Sequence, residues 1–231
     1  MSIIEQNLRC VHRQIRTTVQ NCGRDSKEIT LIAVSKTKPL TAIEDAINAG
    51  QRAFRENYVH EAIKKIKWFR KRIQGTELIW HFIGQLQSNK THLVAKYFDW
   101  YQTLDRPQIV GRINNQRPVE QAALNVLIQI NISYESTNAG IDPDQMLMLA
   151  AHIGKSPRLR LRGLMAIPLP EVNFHQQLAG FKRISRLYKV LKRIYPGVDT
   201  LSIGMTKDMP AAIVAGSTLV RIGNVIFGDR D

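Results

Sequence analysis

Lys36 closes the stretch Ile29-Thr30-Leu31-Ile32-Ala33-Val34-Ser35, seven residues of strand character that contain no charge. An ammonium at the end of a buried strand is partly desolvated, and desolvation favours the neutral amine that attacks carbonyls. The same position also suits a lysine that extends its head into solvent, or one that meets a phosphate as a point charge. What converges with Lys36 decides between them. Near the C-terminus, Ser202-Ile203-Gly204-Met205-Thr206 and Ile222-Gly223-Asn224 form two small-residue turns, and Asp208 with Pro210 marks a helix start after the first. Such turns present backbone N–H groups and positive dipole ends, and the hydroxyls of Ser202 and Thr206 add donors, a combination suited to phosphate. Glycine serving only the turn is the plainer reading. Arg221 precedes the second turn. On an inward-facing strand position it is a buried cation that requires a phosphate, a carboxylate or a ring nitrogen, with Asp199 as the acidic alternative.

Other polar residues fall at strand ends. Asn57, His81, Asp105 and Asn131 do so, and Met165 joins them, whereas the strand bodies are apolar. His81 lies in Ile79-Trp80-His81-Phe82-Ile83, a context that favours a hydrogen-bonded core histidine over a catalytic one. Met165 and Met205 read either as ring contacts or as core filler. The remaining histidines have no carboxylate or cysteine at metal-ligand spacing, so no metal is expected. Neither a Gly-x-Ser-x-Gly elbow nor a P-loop occurs.

The elements that must position these residues alternate along the chain. Ile4, Leu8, Val11, Ile15 and Val19 define an amphipathic lead-in helix over 3–21. Strands are then expected at 29–36, 52–56, 78–84, 100–104, 125–132, within 159–167, at 200–203 and at 218–222, with a helix after each. Eight βα units without a linker predict a closed (β/α)8 TIM barrel in a single domain spanning 1–231, whose reactive groups belong at the C-terminal ends of the strands. A doubly wound open sheet is the alternative, but no Gly-x-Gly-x-x-Gly turn follows the first strand. Arg160 and Arg162 share a strand face whose direction the sequence leaves open.

With 231 residues and 44% hydrophobic composition the chain can bury a full core. Cys10 and Cys22 suit neither a metal site nor a redox pair, and an intracellular, cytoplasmic protein is the simple inference. No signal-peptide run and no membrane-spanning run is evident. The net charge of +14 raises nucleic acid as a partner. Lys64, Lys65, Lys67, Arg70, Lys71 and Arg72, however, read as a solvated helix face, as does the basic run from Lys182 to Arg193. Neither zinc-finger spacing nor an RNP-like aromatic strand accompanies them, which sets nucleic acid aside.

The motifs taken together resemble the pyridoxal phosphate homeostasis protein family, whose members look like the barrel domain of alanine racemase standing alone. The resemblance rests on Ala-Val-Ser-Lys-Thr-Lys-Pro at 33–39, Glu-Asn-Tyr-Val at 56–59, Trp-His-Phe-Ile-Gly at 80–84 and Leu-Gln-Ser-Asn-Lys at 86–90. Gln-Ile-Asn-Ile at 129–132, Arg-Gly-Leu-Met-Ala-Ile-Pro at 162–168 and Arg-Ile-Gly at 221–223 complete it. It implies a fold type III barrel in which Lys36 holds pyridoxal 5′-phosphate as an internal aldimine and Arg221 meets the pyridine nitrogen. It further implies that Ser202, Thr206, Gly223 and Asn224 hold the phosphate, while Asn57, His81 and Met165, with Met205 nearby, line the ring pocket. Departures from the family pattern are Arg55 for a glycine, Gln85 for a proline, Asn138 for a lysine, Thr206 and Asn224 for a serine and a threonine, and a slightly early end at Asp231.

The expected function is reversible storage of pyridoxal phosphate without appreciable catalysis, by a monomer that serves apo-enzymes requiring the cofactor. A weak amino acid racemase is the alternative. A decarboxylase, a Schiff-base aldolase and a basic nucleic-acid-binding barrel are further rivals, separated by amino acid turnover, by the absence of an evident acid–base partner and by salt-dependent retention on nucleic acid.

Overall fold

The computed structural model describes residues 1–73, 75–132 and 139–228. Helix α1 (Ile3–Asn21) starts where the Ser2 hydroxyl accepts the Glu5 N–H, and it buries the expected stripe of Ile4, Leu8, Val11, Ile15 and Val19. Eight strands follow: β1 (Thr30–Val34), β2 (Ala53–Glu56), β3 (Ile79–Phe82), β4 (Trp100–Leu104), β5 (Leu124–Gln129), β6 (Leu159–Met165), β7 (Thr200–Ser202) and β8 (Leu219–Ile222). Between them run α2 (Leu40–Asn48), α3 (Val59–Arg72), α4 (Thr91–Tyr97), α5 (Pro107–Gln116), α6 (Met146–Gly154), α7 (Phe174–Ile194) and α8 (Met209–Val214), and α9 (Asn224–Phe227) follows β8. The strands pair in parallel in chain order, and β8 closes on β1 with Thr30 opposite Leu219 and Ile32 opposite Arg221. The fold is the expected TIM barrel. Helix α1 lies outside the repeat, against α2, α8 and α9.

Side chains alternate across each strand, so the sheet has two unlike faces. The outward face carries Phe54, Trp80, Phe82 and Tyr101 into one large apolar layer with the helices. The inward face begins with a small apolar floor of Ile32, Ala53, Leu219 and Ile79. Above this floor the interior turns polar, with Arg55, His81, Gln102, Ser202 and Arg221 all buried.

Several strands are shorter at their C-terminal ends than their apolar runs predict. Ile83 and Ile203 are buried yet lie past the paired strands, because apolar character marks burial and not ladder pairing. Lys36 therefore sits in a turn beyond β1 and not on its last residue. Lys65 corrects a second expectation. It is 5% exposed, because it reaches inward to carboxylates and not outward with the other basic residues of α3. Among the described residues, no helix is long and apolar enough to cross a membrane.

Candidate functional site at the barrel mouth

The turn that carries Lys36 is clamped from outside the barrel. The Ser35 N–H donates to the Arg55 carbonyl at 3.0 Å, and the Lys38 N–H returns to the Ser35 carbonyl at 3.1 Å. Between them Thr37 adopts φ 64°, a left-handed conformation costly for a β-branched residue. Its N–H donates to Glu61 Oε1 at 2.7 Å. Lys65 Nζ ties the assembly together by donating to the Ser35 carbonyl at 2.7 Å, to Glu56 Oε1 at 2.9 Å and to Glu61 Oε1 at 2.5 Å. The Ser35 hydroxyl adds a 2.6 Å bond to Glu56 Oε1. Burial pushes the Glu56 carboxyl up, and the Lys65 charge pulls it back. Four residues of α3 and β2 thus fix the backbone on both sides of Lys36, whose side chain is half-buried.

Beneath the mouth runs a directional chain of hydrogen bonds. A guanidinium can only donate, so Arg221 Nη1 donates to the Ser202 hydroxyl at 2.6 Å and to the Ser202 carbonyl at 2.8 Å. Ser202 must then spend its proton on Gln102 Oε1, 2.7 Å away, which leaves the Gln102 amide to donate to His81 Nδ1 at 2.9 Å. His81 is thereby an acceptor and neutral. Burial lowers its pKa to about 3, in agreement with this chain. The ring stacks on Trp100 at a centroid distance of 5.2 Å. Arg221 Nη2 reaches the Ala166 carbonyl at 3.1 Å, while its Nε is buried without a partner. Burial, together with repulsion from Arg55, lowers the Arg221 pKa to about 9, and burial lowers that of Arg55 to about 10.

At the rim, Asn57 follows β2 with its Oδ1 buried and unpartnered. Gly84 allows this close approach, since a Cβ there would stand 2.5 Å from the Asn57 carbonyl oxygen. Met165 is fully buried with Ile83 and Leu127 in an apolar patch on the inner wall. After β7, Gly204 takes φ 98°, and a Cβ on it would meet Ala212 at 2.5 Å, so only glycine lets the turn close onto α8. The Met205 N–H in this turn donates to Asp208 Oδ1 at 2.5 Å, and burial pushes the Asp208 carboxyl up. Thr206 and Asn224 are exposed, and Gly223 is half-buried against Val34.

Every site residue expected from the sequence therefore lies on the inner face or on the C-terminal rim, but not at one depth. His81 and Ser202 sit below the rim. Ser202 offers no free hydroxyl to a phosphate, because its proton is held by Gln102 and its oxygen by Arg221. Asp199 does not neutralise Arg221; it pairs with Arg162 at 2.9 and 2.5 Å, which also answers where Arg162 points. Gln102 and the inward direction of Arg55 were not read from the sequence. Period-two alternation places Gln102 on the face of Trp100, and register places Arg55 beside His81. Asn138 and Asp231 lie outside the described residues.

Among the described residues, Arg55 Nε and Arg221 Nε, on strands that border Lys36, Asn57 Oδ1, just past β2, and Glu56 Oε2, on the outer face of β2, are orphaned polar atoms. Buried polar groups are nearly always satisfied, so the two arginine nitrogens fit a planar ligand that brings acceptors into the barrel. A phosphorylated pyridine aldehyde has such a set of groups.

The chain matches the family described as alanine racemase, N-terminal domain, over residues 7–231. It is 54% identical to the pyridoxal phosphate homeostasis protein of Haemophilus influenzae over 230 residues, covering 99% of this chain and 96% of that one. Identity to the protein of the same name from Escherichia coli is 54% over 231 residues, covering 100% and 98%. Among solved structures, PipY of Synechococcus elongatus with pyridoxal phosphate bound superimposes with a TM-score of 0.82 at 29% identity, covering 97% of this chain and 100% of PipY.

Proposed function

From the premise that this chain belongs to the pyridoxal phosphate homeostasis protein family, built on the N-terminal domain of alanine racemase, we propose that it binds pyridoxal 5′-phosphate reversibly through Lys36 and contributes to its homeostasis. The observation that carries this reading is the guanidinium of Arg221, fully buried, with one nitrogen lacking a partner. The bound cofactor supplies a carbonyl that an amine captures with loss of water, and a pyridine ring that can act as an electron sink. Lys36 provides the amine, held in place by the Ser35–Lys38 turn. Thr206, Gly223 and Asn224 take the phosphate at the rim. Ser202 acts from below by orienting Arg221, and Asn57, Met165, Met205 and His81 border the ring, His81 from beneath.

Storage without turnover follows from the same residues. Arg221 keeps its proton, so the ring nitrogen it faces remains an acceptor and the ring withdraws electrons poorly. His81 is buried and neutral, and it spends its Nδ1 on Gln102, so it is a poor source or sink of protons. We read the chain as a single domain acting in the cytoplasm as a monomer, with apo-enzymes that require the cofactor as recipients. The test is the absorption spectrum of purified protein, followed by borohydride reduction and peptide mass mapping. Label on Lys36 is expected, and label on another lysine in its place overturns the assignment. Steady amino acid turnover at high protein concentration would overturn the storage reading alone.

A further inference from the structure

Arg55 stands on the inner face of β2, in register with Val34 of β1 and His81 of β3. It is 8% exposed, and its Nε is buried with no hydrogen-bond partner. The adjacent Glu56 points to the opposite face of the sheet and is engaged by Ser35 and Lys65. The other cation of the interior, Arg221, repels it. Arg117 shows what a satisfied buried arginine looks like in the same molecule. Only 5% exposed, Arg117 donates to the carbonyls of Ala122, Ala95 and Phe98 at 2.7 to 2.9 Å. The Glu56 charge supports the cation only in part against burial, and folding alone does not favour a buried guanidinium nitrogen without an acceptor. What the interior lacks is an acceptor, best a charged one.

We propose that Arg55 is a specificity residue that donates to the ionised ring oxygen of pyridoxal 5′-phosphate, an inference that rests on the roles given above to Lys36 and to the rim after β7 and β8. The chemistry of the compound selects the atom. Its ring oxygen and its phosphate arm occupy the two carbons that flank the carbonyl-bearing carbon, and the ring nitrogen lies opposite. With the carbonyl carbon at Lys36 after β1 and the phosphate toward β8 on one side of β1, the ring oxygen falls on the other side, where β2 carries Arg55. A guanidinium at that oxygen stabilises its ionised form, and the negative charge in turn relieves the repulsion between Arg55 and Arg221. Arg55 thus trades stability of the empty protein for preference in what it admits.

The test uses wild type, Arg55→Gln and Arg55→Lys, each titrated with pyridoxal 5′-phosphate and with 3-deoxypyridoxal 5′-phosphate, which keeps the aldehyde and phosphate but lacks the ring oxygen. Wild type is expected to prefer the natural compound by about ten- to a hundredfold, the range of a hydrogen bond to a charged group. Arg55→Gln should lose most of that ratio and Arg55→Lys should keep part of it. The empty Arg55→Gln protein should also melt at a higher temperature than empty wild type, as neither a framework role nor an indifferent residue would give. An unchanged ratio in Arg55→Gln overturns the proposal, whatever its melting temperature. Borohydride mapping on the same samples separates the two levels: label on Lys36 with an unchanged ratio removes Arg55 alone, and wild type without label on Lys36 removes the pocket reading and Arg55 with it.

Discussion

Residues 55 and 56 are neighbours on β2 and face opposite sides of the sheet, and the two sides treat charge differently. Outside, Glu56 meets Lys65 at 2.9 Å, and Lys65 also meets Glu61. Inside, Arg55 and Arg221 bear the same sign and each leaves a buried nitrogen unpartnered. The outer charges are paired with opposite charges within the chain and hold the Lys36 turn, although Glu56 Oε2 is left without a hydrogen bond. The inner ones feel Glu56 and Asp208 only through space and lack an acceptor at Nε. Buried charge thus serves the framework where it is paired, and where a nitrogen lacks an acceptor it marks a candidate binding position.

The largest expected effect tests the outer side. Lys65→Met leaves Glu56 buried without its cation and should lower the unfolding free energy in urea by about 3–5 kcal/mol, while Lys65→Met combined with Glu56→Leu should recover much of the loss. Single and double variants of equal stability would mean that the pair does not hold the fold together. The two arginines give the next contrast. Arg117→Gln strands three carbonyls and should cost about 2–4 kcal/mol in the same measurement, against the stabilisation expected of Arg55→Gln. If both substitutions destabilise alike, inside and outside do not differ in the way described.

Acid probes the inner chain. The His81 pKa is lowered to about 3 in the folded protein, so below its ordinary 6.5 the unfolded chain takes up a proton that the folded one refuses. Stability is therefore complete above pH 6.5 and is lost as the pH falls toward 3, by about 2–3 kcal/mol at pH 4.5. Glu56, Asp99 and Asp208, whose burial raises their pKa, oppose this trend. The quantity to measure is thus the difference in urea midpoint between pH 7 and pH 4.5 for wild type relative to His81→Gln, a variant whose side-chain oxygen can still accept from Gln102. Equal acid losses in the two proteins would show that His81 is not the group that titrates.

How far this was legible in the sequence follows the same division. Apolar patterning located all eight strands, and Trp100–Leu104 to the residue, because the outer layer is built by apolar burial and its period is visible. Lys36, Arg221 and the two glycine turns stood out because chemistry-bearing residues interrupt that pattern. Gln102 did not, since a single glutamine in Trp-Tyr-Gln-Thr-Leu gains meaning only when β3 and β7 are placed beside it. Arg55 was visible only as a departure from a family pattern. Lys65 was misread because its partners, Glu56 and Glu61, lie across a βα turn and one helical turn back, and a charge run conceals which of its members turns inward.

The smallest expected effect concerns the join between the two sides. Thr37 holds φ 64° because its N–H is drawn to Glu61, so the outer network sustains a strained residue next to Lys36. Asparagine tolerates this conformation better than a β-branched side chain does, so Thr37→Asn should raise the unfolding free energy by about 0.5–1 kcal/mol. Because the substitution leaves the backbone donor in place, the Lys36 turn keeps its shape, and the affinity for pyridoxal phosphate should stay within about twofold of wild type. A gain in stability accompanied by a clear loss of affinity would mean that the Thr37 side chain itself serves the mouth, and the boundary between framework and pocket would then run through the turn and not along the sheet.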